Sequence, residues 1–236
     1  MKYLKKFENY SQDFTIDFDK IDTSDIRGHE SIINILNQNQ LSFDSLLESI
    51  KDNIVYFGLA SKETKYNLIG TGQYGIAFSF IDKVLKITTS QKEFETCSSL
   101  VDLEFEGVVR YYLSFQFDTL PIYIIIQDKL QMPPKIERDI YTTLYYLGAN
   151  DTHNPNFKFK NKSDLLDALR RRLRHPLPED ELPAYDIDKN ELRVYLSKYL
   201  DLAETLRQQS ISTDDLHGEN IGIKEGQLIH FDVMIV

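Results

Sequence analysis

The chain has 236 residues, enough for one large domain or for a small lobe joined to a larger one. Its formal net charge of −10 excludes a general nucleic-acid binder, and its single cysteine, Cys97, excludes an internal disulfide and fits a reducing compartment. We find no signal-peptide pattern and no apolar run near the ~20 residues of a membrane helix, so we expect a cytoplasmic protein, or one delivered into a host cytoplasm, without nucleic-acid or membrane partners.

The first half of the chain predicts two helices followed by a β-rich lobe. Residues 1–60 are polar, with apolar residues at helical spacing around Leu36 and Leu47, and Ser42 can cap the second helix. From Tyr66 onward, short aromatic or β-branched segments alternate with turn residues, which is typical of an antiparallel meander. We expect strands at residues 66–72, 75–81, 83–88, 108–115 and 122–127, and a helix from Ser90 to about Glu104. The last strand is nearly all apolar and should be buried on both faces.

Residues 132–236 predict mainly helices. We expect helices at residues 136–147, 163–174 (with Ser163 as its cap) and 191–208, and short strands at 221–223 and 228–231. A basic run at residues 170–175 is most simply a solvated helix face, with a docking patch for an acidic partner as the alternative. The expected fold class is α+β: an N-terminal helical extension (1–60), a small antiparallel β lobe with one helix (61–131), and a truncated, mainly helical lobe (132–236) with an insert near 149–190.

Three glycines, Gly70, Gly72 and Gly75, lie between the first two predicted strands. Glycines at this spacing let backbone N–H groups approach phosphates closely, although an ordinary structural turn has the same composition. A strand follows them, whereas a dinucleotide-binding fold would continue into a helix. The pattern therefore favours a β-hairpin that covers phosphates.

Lys86 lies within an apolar strand, where a buried lysine is costly unless it is paired. An outward-facing, solvated lysine is the ordinary alternative. On the following helix Glu93 shares a face with the apolar Cys97, so we predict that Glu93 is the partner of Lys86. Glu95 and Glu104 remain possible partners.

The third motif lies in residues 213–232, where Asp215 is followed by Asn220 and, after two short apolar runs, by Asp232. Carboxylate and amide oxygens arranged in this way can hold Mg²⁺ against a nucleotide and orient an attacking hydroxyl. An acidic surface loop with an Asx turn is the alternative interpretation.

The order of these motifs resembles that of the protein-kinase-like superfamily over residues 66–232. It runs from the glycine hairpin through the strand lysine and the helix glutamate to the terminal Asp-x-x-x-x-Asn…Asp. The resemblance implies a two-lobed fold that binds Mg·ATP between the lobes. It implies that Gly70, Gly72 and Gly75 cover the phosphates, and that Lys86, fixed by Glu93, contacts them.

The same resemblance assigns roles to five further residues. Asp215 takes the place of the catalytic aspartate, and Asn220 and Asp232 take the places of the two Mg²⁺ ligands. The backbone of Asp128 and Leu130, in the segment that matches the hinge, would bond adenine.

The terminal motif departs from eukaryotic-type protein kinases at three places. Asp215 is preceded by Thr-Asp in place of His-Arg, and His217 stands where those kinases have lysine. Asp-Leu-His-Gly-x-Asn is closer to aminoglycoside and choline kinases, or to small bacterial and phage kinases. His217 would either contact the transferred phosphate or fix the loop. Residues 233–234 are Val-Met, where the family usually has Phe-Gly.

The chain ends four residues after Asp232, so we expect it to lack the activation segment and the later helices of such kinases. A natural minimal kinase, a pseudokinase and a truncated chain are the competing explanations. We expect an ATP- and Mg²⁺-dependent minimal kinase of bacterial or phage type that acts on a hydroxyl of a host protein or of itself. A small-molecule kinase, a pseudokinase or interaction module, and a nucleotidyltransferase stay open as alternatives.

Overall fold

The computed structural model describes residues 30–71, 74–152, 157–177 and 182–232. Within these ranges the chain forms a five-stranded antiparallel sheet, a two-stranded hairpin and six α-helices. The chain divides into two compact units, Met1–Leu103 with Arg110–Lys129, and Glu104–Val109 with Leu130–Val236. The α+β class predicted from the sequence is therefore confirmed. No helix in the described ranges is long and apolar enough to span a bilayer.

The first unit begins with two helices, α1 (Glu30–Gln38) and α2 (Phe43–Tyr56). Ser42 caps α2 as predicted, because its Oγ accepts the Ser45 N–H at 3.0 Å. The buried faces of both helices belong to the same apolar cluster as the inner side chains of the sheet. The described part of the predicted N-terminal extension therefore shares the core of the sheet. Residues 1–29 of that extension lie outside the described residues.

The sheet of the first unit has the strand order β1-β2-β3-β5-β4. Its strands are β1 (Asn67–Thr71), β2 (Gly75–Phe80), β3 (Lys83–Thr88), β4 (Tyr111–Gln116) and β5 (Tyr123–Asp128). All neighbouring pairs are antiparallel, and Lys86 of β3 lies opposite Ala77 and Ile125. Every residue of β5 is buried, which confirms the expectation from its apolar sequence. The central position of β3 places Lys86 in the middle of the sheet.

Helix α3 (Gln91–Leu100) follows β3 and is capped by Ser90, as predicted. It ends four residues before the predicted boundary at Glu104, because Val101 adopts extended dihedrals and forms a parallel bridge with Tyr111. The predicted strand at residues 108–115 begins late for a related reason. Residues 108–109 belong to the second unit, where the Val109 N–H donates to the His230 carbonyl at 2.9 Å.

The second unit contains α4 (Lys135–Tyr146), α5 (Lys162–Arg174) and α6 (Lys189–Gln208). The apolar face of α6 is buried as its periodicity predicted. Ser163 is not the cap of α5. The Asn161 side chain accepts the N–H groups of Ser163 and Asp164 at 2.9 and 3.0 Å, because Asn161 is the last non-helical residue.

A hairpin of β6 (Ile221–Lys224) and β7 (Gln227–His230) ends the described part of the second unit. Its turn residues Glu225 and Gly226 have φ of 53° and 80°. A 3₁₀ helix at Gly218–Asn220 leads into β6 and packs against α4. Most of the expected insert near 149–190 is described, but residues 153–156 and 178–181 lie outside the described residues.

Candidate functional site

Lys86 and Glu93 meet where β3 leads into α3. The Lys86 Nζ forms an ion pair with Glu93 Oε1, and 31% of the lysine side chain remains exposed. The alternative partners lie elsewhere. Glu95 is exposed and accepts the Gln91 amide at 2.7 Å, and Glu104 lies beyond the end of α3. The structure thus contains the ion pair that the helix face predicted.

Thr88, which sequence reasoning missed, holds the Glu93 carboxylate from its other side. The Thr88 hydroxyl donates to Glu93 Oε2 at 3.0 Å and accepts the Ser90 N–H at 3.1 Å. In an ordinary Ser-x-x-Glu capping box the glutamate itself accepts that N–H. Because Thr88 takes over this role, the Glu93 carboxylate is left for Lys86. The signal in the sequence was a threonine two residues before a Ser-x-x-Glu box.

The glycine hairpin is only partly described. Gly70 lies in β1 and Gly75 begins β2, whereas Gly72 lies outside the described residues. A Cβ on Gly75 would lie 2.1 Å from the Ile87 carbonyl oxygen of β3, so close packing of two strands already requires glycine there. A Cβ on Gly70 would meet no atom of the described residues within 4 Å. Packing therefore accounts for Gly75 but not for Gly70.

The predicted hinge lies where the chain passes from the first unit to the second, after Lys129. The Asp128 N–H donates to the Arg110 carbonyl at 3.0 Å, and the Asp128 carboxylate accepts the Tyr112 hydroxyl at 2.7 Å. The Leu130 N–H has no acceptor among the described residues. Of the two residues assigned to adenine, only Leu130 therefore has its backbone N–H available for a ligand.

In the second unit, Asn220 holds Asp215 with a single amide group. The Asn220 Nδ2 donates to Asp215 Oδ2 at 2.9 Å and to the Asp215 carbonyl at 3.1 Å. The Asn220 Oδ1 receives no hydrogen bond from any described residue, so it is available to a cation. The Phe231 N–H donates to the Asn220 carbonyl at 3.1 Å, which brings the chain back to Asn220 one residue before Asp232.

His217 uses both ring nitrogens inside the same loop. Its Nδ1 accepts the Glu219 N–H at 3.2 Å, and its Nε2 lies 3.2 Å from Asp215 Oδ1. The Tyr145 ring stands edge-on to the imidazole, with ring centroids 5.9 Å apart. Of the two roles predicted for His217, this geometry favours the one that fixes the loop.

The environment of Asp215 keeps its carboxylate ionised at neutral pH. Burial on its own would raise the pKa of Asp215, but the hydrogen bond from His217 outweighs it, together with smaller contributions from His230 and the Asn220 amide, so the pKa is lowered. About 40% of the Asp215 side chain is exposed, so an acceptor group can reach it.

His230, the last residue of β7, is a second residue that sequence reasoning missed. It is 1% exposed, and its ring lies beside the Asp215 backbone without a well-formed hydrogen bond to any described residue. Burial lowers the pKa of His230 to about 4, against the opposing charges of Asp232 and Asp215. The ring is therefore neutral at pH 7. Its only signal in the sequence was a polar residue at an inward-facing strand position.

Helices α4 and α6 anchor the backbone of the loop that contains Asp215 and His217. The Gly218 N–H donates to the Thr142 hydroxyl at 3.1 Å, and a Cβ on Gly218 would lie 2.0 Å from the Arg138 carbonyl oxygen. The Tyr199 hydroxyl donates to the Leu216 carbonyl at 2.7 Å. Because these contacts are made at Leu216 and Gly218, between Asp215 and Asn220, the positions of Asp215 and Asn220 depend on the helical core of the unit.

No protein-family model matches this chain, and no curated protein matches it in sequence. The chemistry of the site therefore has to be argued from its donor groups. The described residues contain no cluster of three or more His, Cys, Asp or Glu side chains that could hold a metal ion. Asn220 and Asp232 are two oxygen donors, which fits Mg²⁺, since this ion usually takes one or two protein carboxylates and completes its shell with phosphates and water.

A surface groove along α5 lies apart from this loop. It is lined by Phe159, Asp164, Asp167, Arg170, Arg171 and Arg174. Arg174 forms an ion pair with Asp186, and Asp167 forms one with Lys189 at 2.6 Å. One arginine of the basic run, Arg174, is therefore paired with an acidic side chain of the same chain.

Proposed function

We propose that this chain is an ATP-dependent phosphotransferase, a minimal enzyme of the protein-kinase-like type that transfers the γ-phosphate of ATP to a protein hydroxyl. The observation that carries the proposal is the Lys86–Glu93 ion pair, which joins a sheet lysine to the acid of the next helix. In protein kinases a lysine–glutamate pair of this kind has to form before phosphate transfer. The antiparallel order of the sheet, with one helix between β3 and β4, also supports a two-lobed kinase-like fold.

Residues of the first unit are proposed to bind the nucleotide. Lys86 contacts the α- and β-phosphates, while Glu93 and Thr88 keep its ammonium in place. The backbone of Gly70, Gly72 and Gly75 would lie over the phosphates. At the hinge, the Leu130 N–H donates to the adenine ring, and Asp128 can contribute only its carbonyl to that contact, since its N–H is already bonded.

Residues of the second unit are proposed to act at the transferred phosphate. Asp215 orients the acceptor hydroxyl and takes its proton. Asn220 Oδ1 and Asp232 would hold Mg²⁺, which when bound supplies positive charge that stabilises the transferring phosphate and the leaving group. Catalysis would come from positioning and charge neutralisation, and no residue needs to form a covalent intermediate.

The direct test is transfer of labelled γ-phosphate from Mg·ATP. We expect wild-type protein to label itself or an added protein, and the Asp215→Ala and Asp232→Ala variants to lose this activity. Asp201→Ala is a matched control, because Asp201 is an exposed carboxylate on α6. Equal labelling by wild type and Asp232→Ala would contradict the proposed mechanism.

A small hydroxylated acceptor is the second candidate. It is favoured by the loop geometry, since His217 is engaged by Asp215 and Glu219 and stands where protein kinases place a phosphate-directed lysine. ATP consumption measured with aminoglycosides or choline, and with protein acceptors, distinguishes the two. A pseudokinase would consume no ATP, although bound Mg·ATP at 100 times its Kd would still stabilise the fold by about 2.7 kcal/mol.

A further inference from the structure

The two ring nitrogens of His217 face different kinds of group: Nδ1 faces a backbone donor, and Nε2 faces a carboxylate acceptor. The Glu219 N–H is a donor, so the Nδ1 atom that faces it at 3.2 Å has to be the acceptor. A neutral imidazole carries one proton, which is then on Nε2, and Nε2 faces the Asp215 carboxylate at 3.2 Å. The backbone of the 3₁₀ helix thus determines the tautomer of His217.

The two oxygens of Asp215 are each held by a different donor. His217 Nε2 lies 3.2 Å from Oδ1 and acts on the carboxylate as a hydrogen-bond donor, and Asn220 Nδ2 donates to Oδ2 at 2.9 Å. Two donors on opposite oxygens fix both the position and the plane of a carboxylate, and each oxygen keeps a lone pair for a further partner. With about 40% of the Asp215 side chain exposed, that further partner can come from solution.

We propose that His217 is a positioning residue for phosphate transfer, which orients Asp215 towards the acceptor hydroxyl by donating Nε2–H to Oδ1. This inference rests on the proposed function. During transfer the acceptor oxygen bonds to the γ-phosphorus, and the bond from that phosphorus to the bridging oxygen breaks with its electron pair leaving on ADP. The hydroxyl proton passes to Asp215. His217 does not take it, because its Nδ1 lone pair is occupied by the Glu219 N–H.

The packing around His217 limits the ways in which its ring can turn. Tyr145 covers the ring edge-on, and the Tyr145 hydroxyl is itself anchored to the Asp214 carbonyl at 2.6 Å. A rotation of the imidazole that broke its bond to Asp215 would also break the cap on the Glu219 N–H. One side chain therefore couples the first turn of the 3₁₀ helix to the orientation of the catalytic carboxylate.

Two substitutions separate the two bonds of His217. His217→Asn keeps an acceptor for the Glu219 N–H, since asparagine is among the best helix N-caps, but its side chain is too short to reach Asp215. His217→Gln carries an amide donor further out, towards Asp215. We expect His217→Asn to lower kcat about tenfold to a hundredfold, the range expected when a reacting group is misplaced by about 1 Å. The KM for ATP should stay near that of wild type, and His217→Gln should recover part of kcat.

The measurements are steady-state kinetics with Mg·ATP, the melting temperature of each variant, and ¹⁵N NMR of the wild-type imidazole. An unchanged melting temperature for His217→Asn shows that any loss in kcat is not a loss of folded protein. NMR should find the proton on Nε2, and a proton on Nδ1 instead would overturn the inference even if the variants fail to fold. A His217→Asn kcat equal to that of wild type would overturn it alone, whereas a wild-type protein that transfers no phosphate to any acceptor overturns the proposed function as well.

Discussion

Lys86 on β3 and Glu93 on α3 form an ion pair within the first unit, with the glutamate in the first turn of its helix. The pair depends on Thr88, which makes the helix-capping hydrogen bond in place of Glu93. Thr88 accepts the Ser90 N–H that Glu93 would otherwise accept, and it donates its own proton to the free oxygen of Glu93. The helix cap and the orientation of Lys86 are thus parts of one hydrogen-bond network.

Glu93→Gln tests the charge of this pair. Glutamine keeps the size of the side chain and an oxygen for Thr88, but it removes the negative charge that holds the Lys86 ammonium. We expect Mg·ATP to bind about tenfold more weakly, which corresponds to ~1.4 kcal/mol, with little change in melting temperature. Isothermal titration calorimetry measures the affinity. Glu95→Gln on the exposed face of α3 is the matched control and should bind Mg·ATP like wild type.

Thr88→Val tests the support behind Glu93. Valine fills the same volume but leaves the partly buried Ser90 N–H and one Glu93 oxygen without their partner, so we expect a loss of about 1–3 kcal/mol in the free energy of unfolding. Urea denaturation provides the measurement. Thr89→Val removes a more exposed hydroxyl bond to the Tyr74 carbonyl and should cost less. Equal losses in both variants would argue against a special role for Thr88.

Gly75 and Gly70 should respond differently to alanine. A Cβ at position 75 would lie 2.1 Å from the Ile87 carbonyl oxygen, whereas one at position 70 would meet nothing within 4 Å in the part of the chain that the structure describes. We therefore expect Gly75→Ala to destabilise the fold by about 1–3 kcal/mol, the usual cost of overpacking, and Gly70→Ala to leave the melting temperature nearly unchanged. A Gly70→Ala variant that melts like wild type but binds Mg·ATP more weakly would favour the phosphate role for this residue.

Because His230 is buried and neutral, it should make the free energy of unfolding depend on pH. Its pKa is about 4 in the folded protein and about 6.5 as a free histidine, so between these values the unfolded chain binds a proton that the folded chain does not. Stability should therefore fall as the pH is lowered from 6.5 to 4, by up to about 1.4 kcal/mol per pH unit and about 3 kcal/mol in total from this residue.

His230→Leu isolates that contribution. The variant cannot titrate at this position, so its free energy of unfolding in urea, measured without metal between pH 4 and 7, should vary less steeply than that of wild type. Carboxylates distant from position 230 titrate alike in both proteins, so the difference in slope reports on His230 and the acids beside it. Parallel curves would show that His230 is not buried in its neutral form.

Most of the secondary structure was determined locally and could be predicted from the sequence. Short aromatic or β-branched segments between turn residues located β2 and β3, and the helical periodicity located α6. Ser42 and Ser90 were identified as caps because capping depends on neighbouring residues. The end of α3 and the start of β4 were misplaced, because they depend on a bridge between Val101 and Tyr111 and on bonds from residues 107–109 to β7, which lies far away in the sequence.

The candidate site, too, combines features that local sequence predicts with features that depend on distant contacts. The spacing of motifs along the chain singled out Lys86, Glu93, Asp215, Asn220 and Asp232, and the helix face favoured Glu93 as the partner of Lys86 while leaving Glu95 and Glu104 open. How these groups are held depends on the packing of the folded protein. Thr88 frees Glu93, Asn220 turns its Nδ2 towards Asp215, His217 is locked in one tautomer and His230 is buried without charge. Hydrogen-bond direction and burial depend on atoms from several elements packed together, and no local pattern in the sequence encodes them.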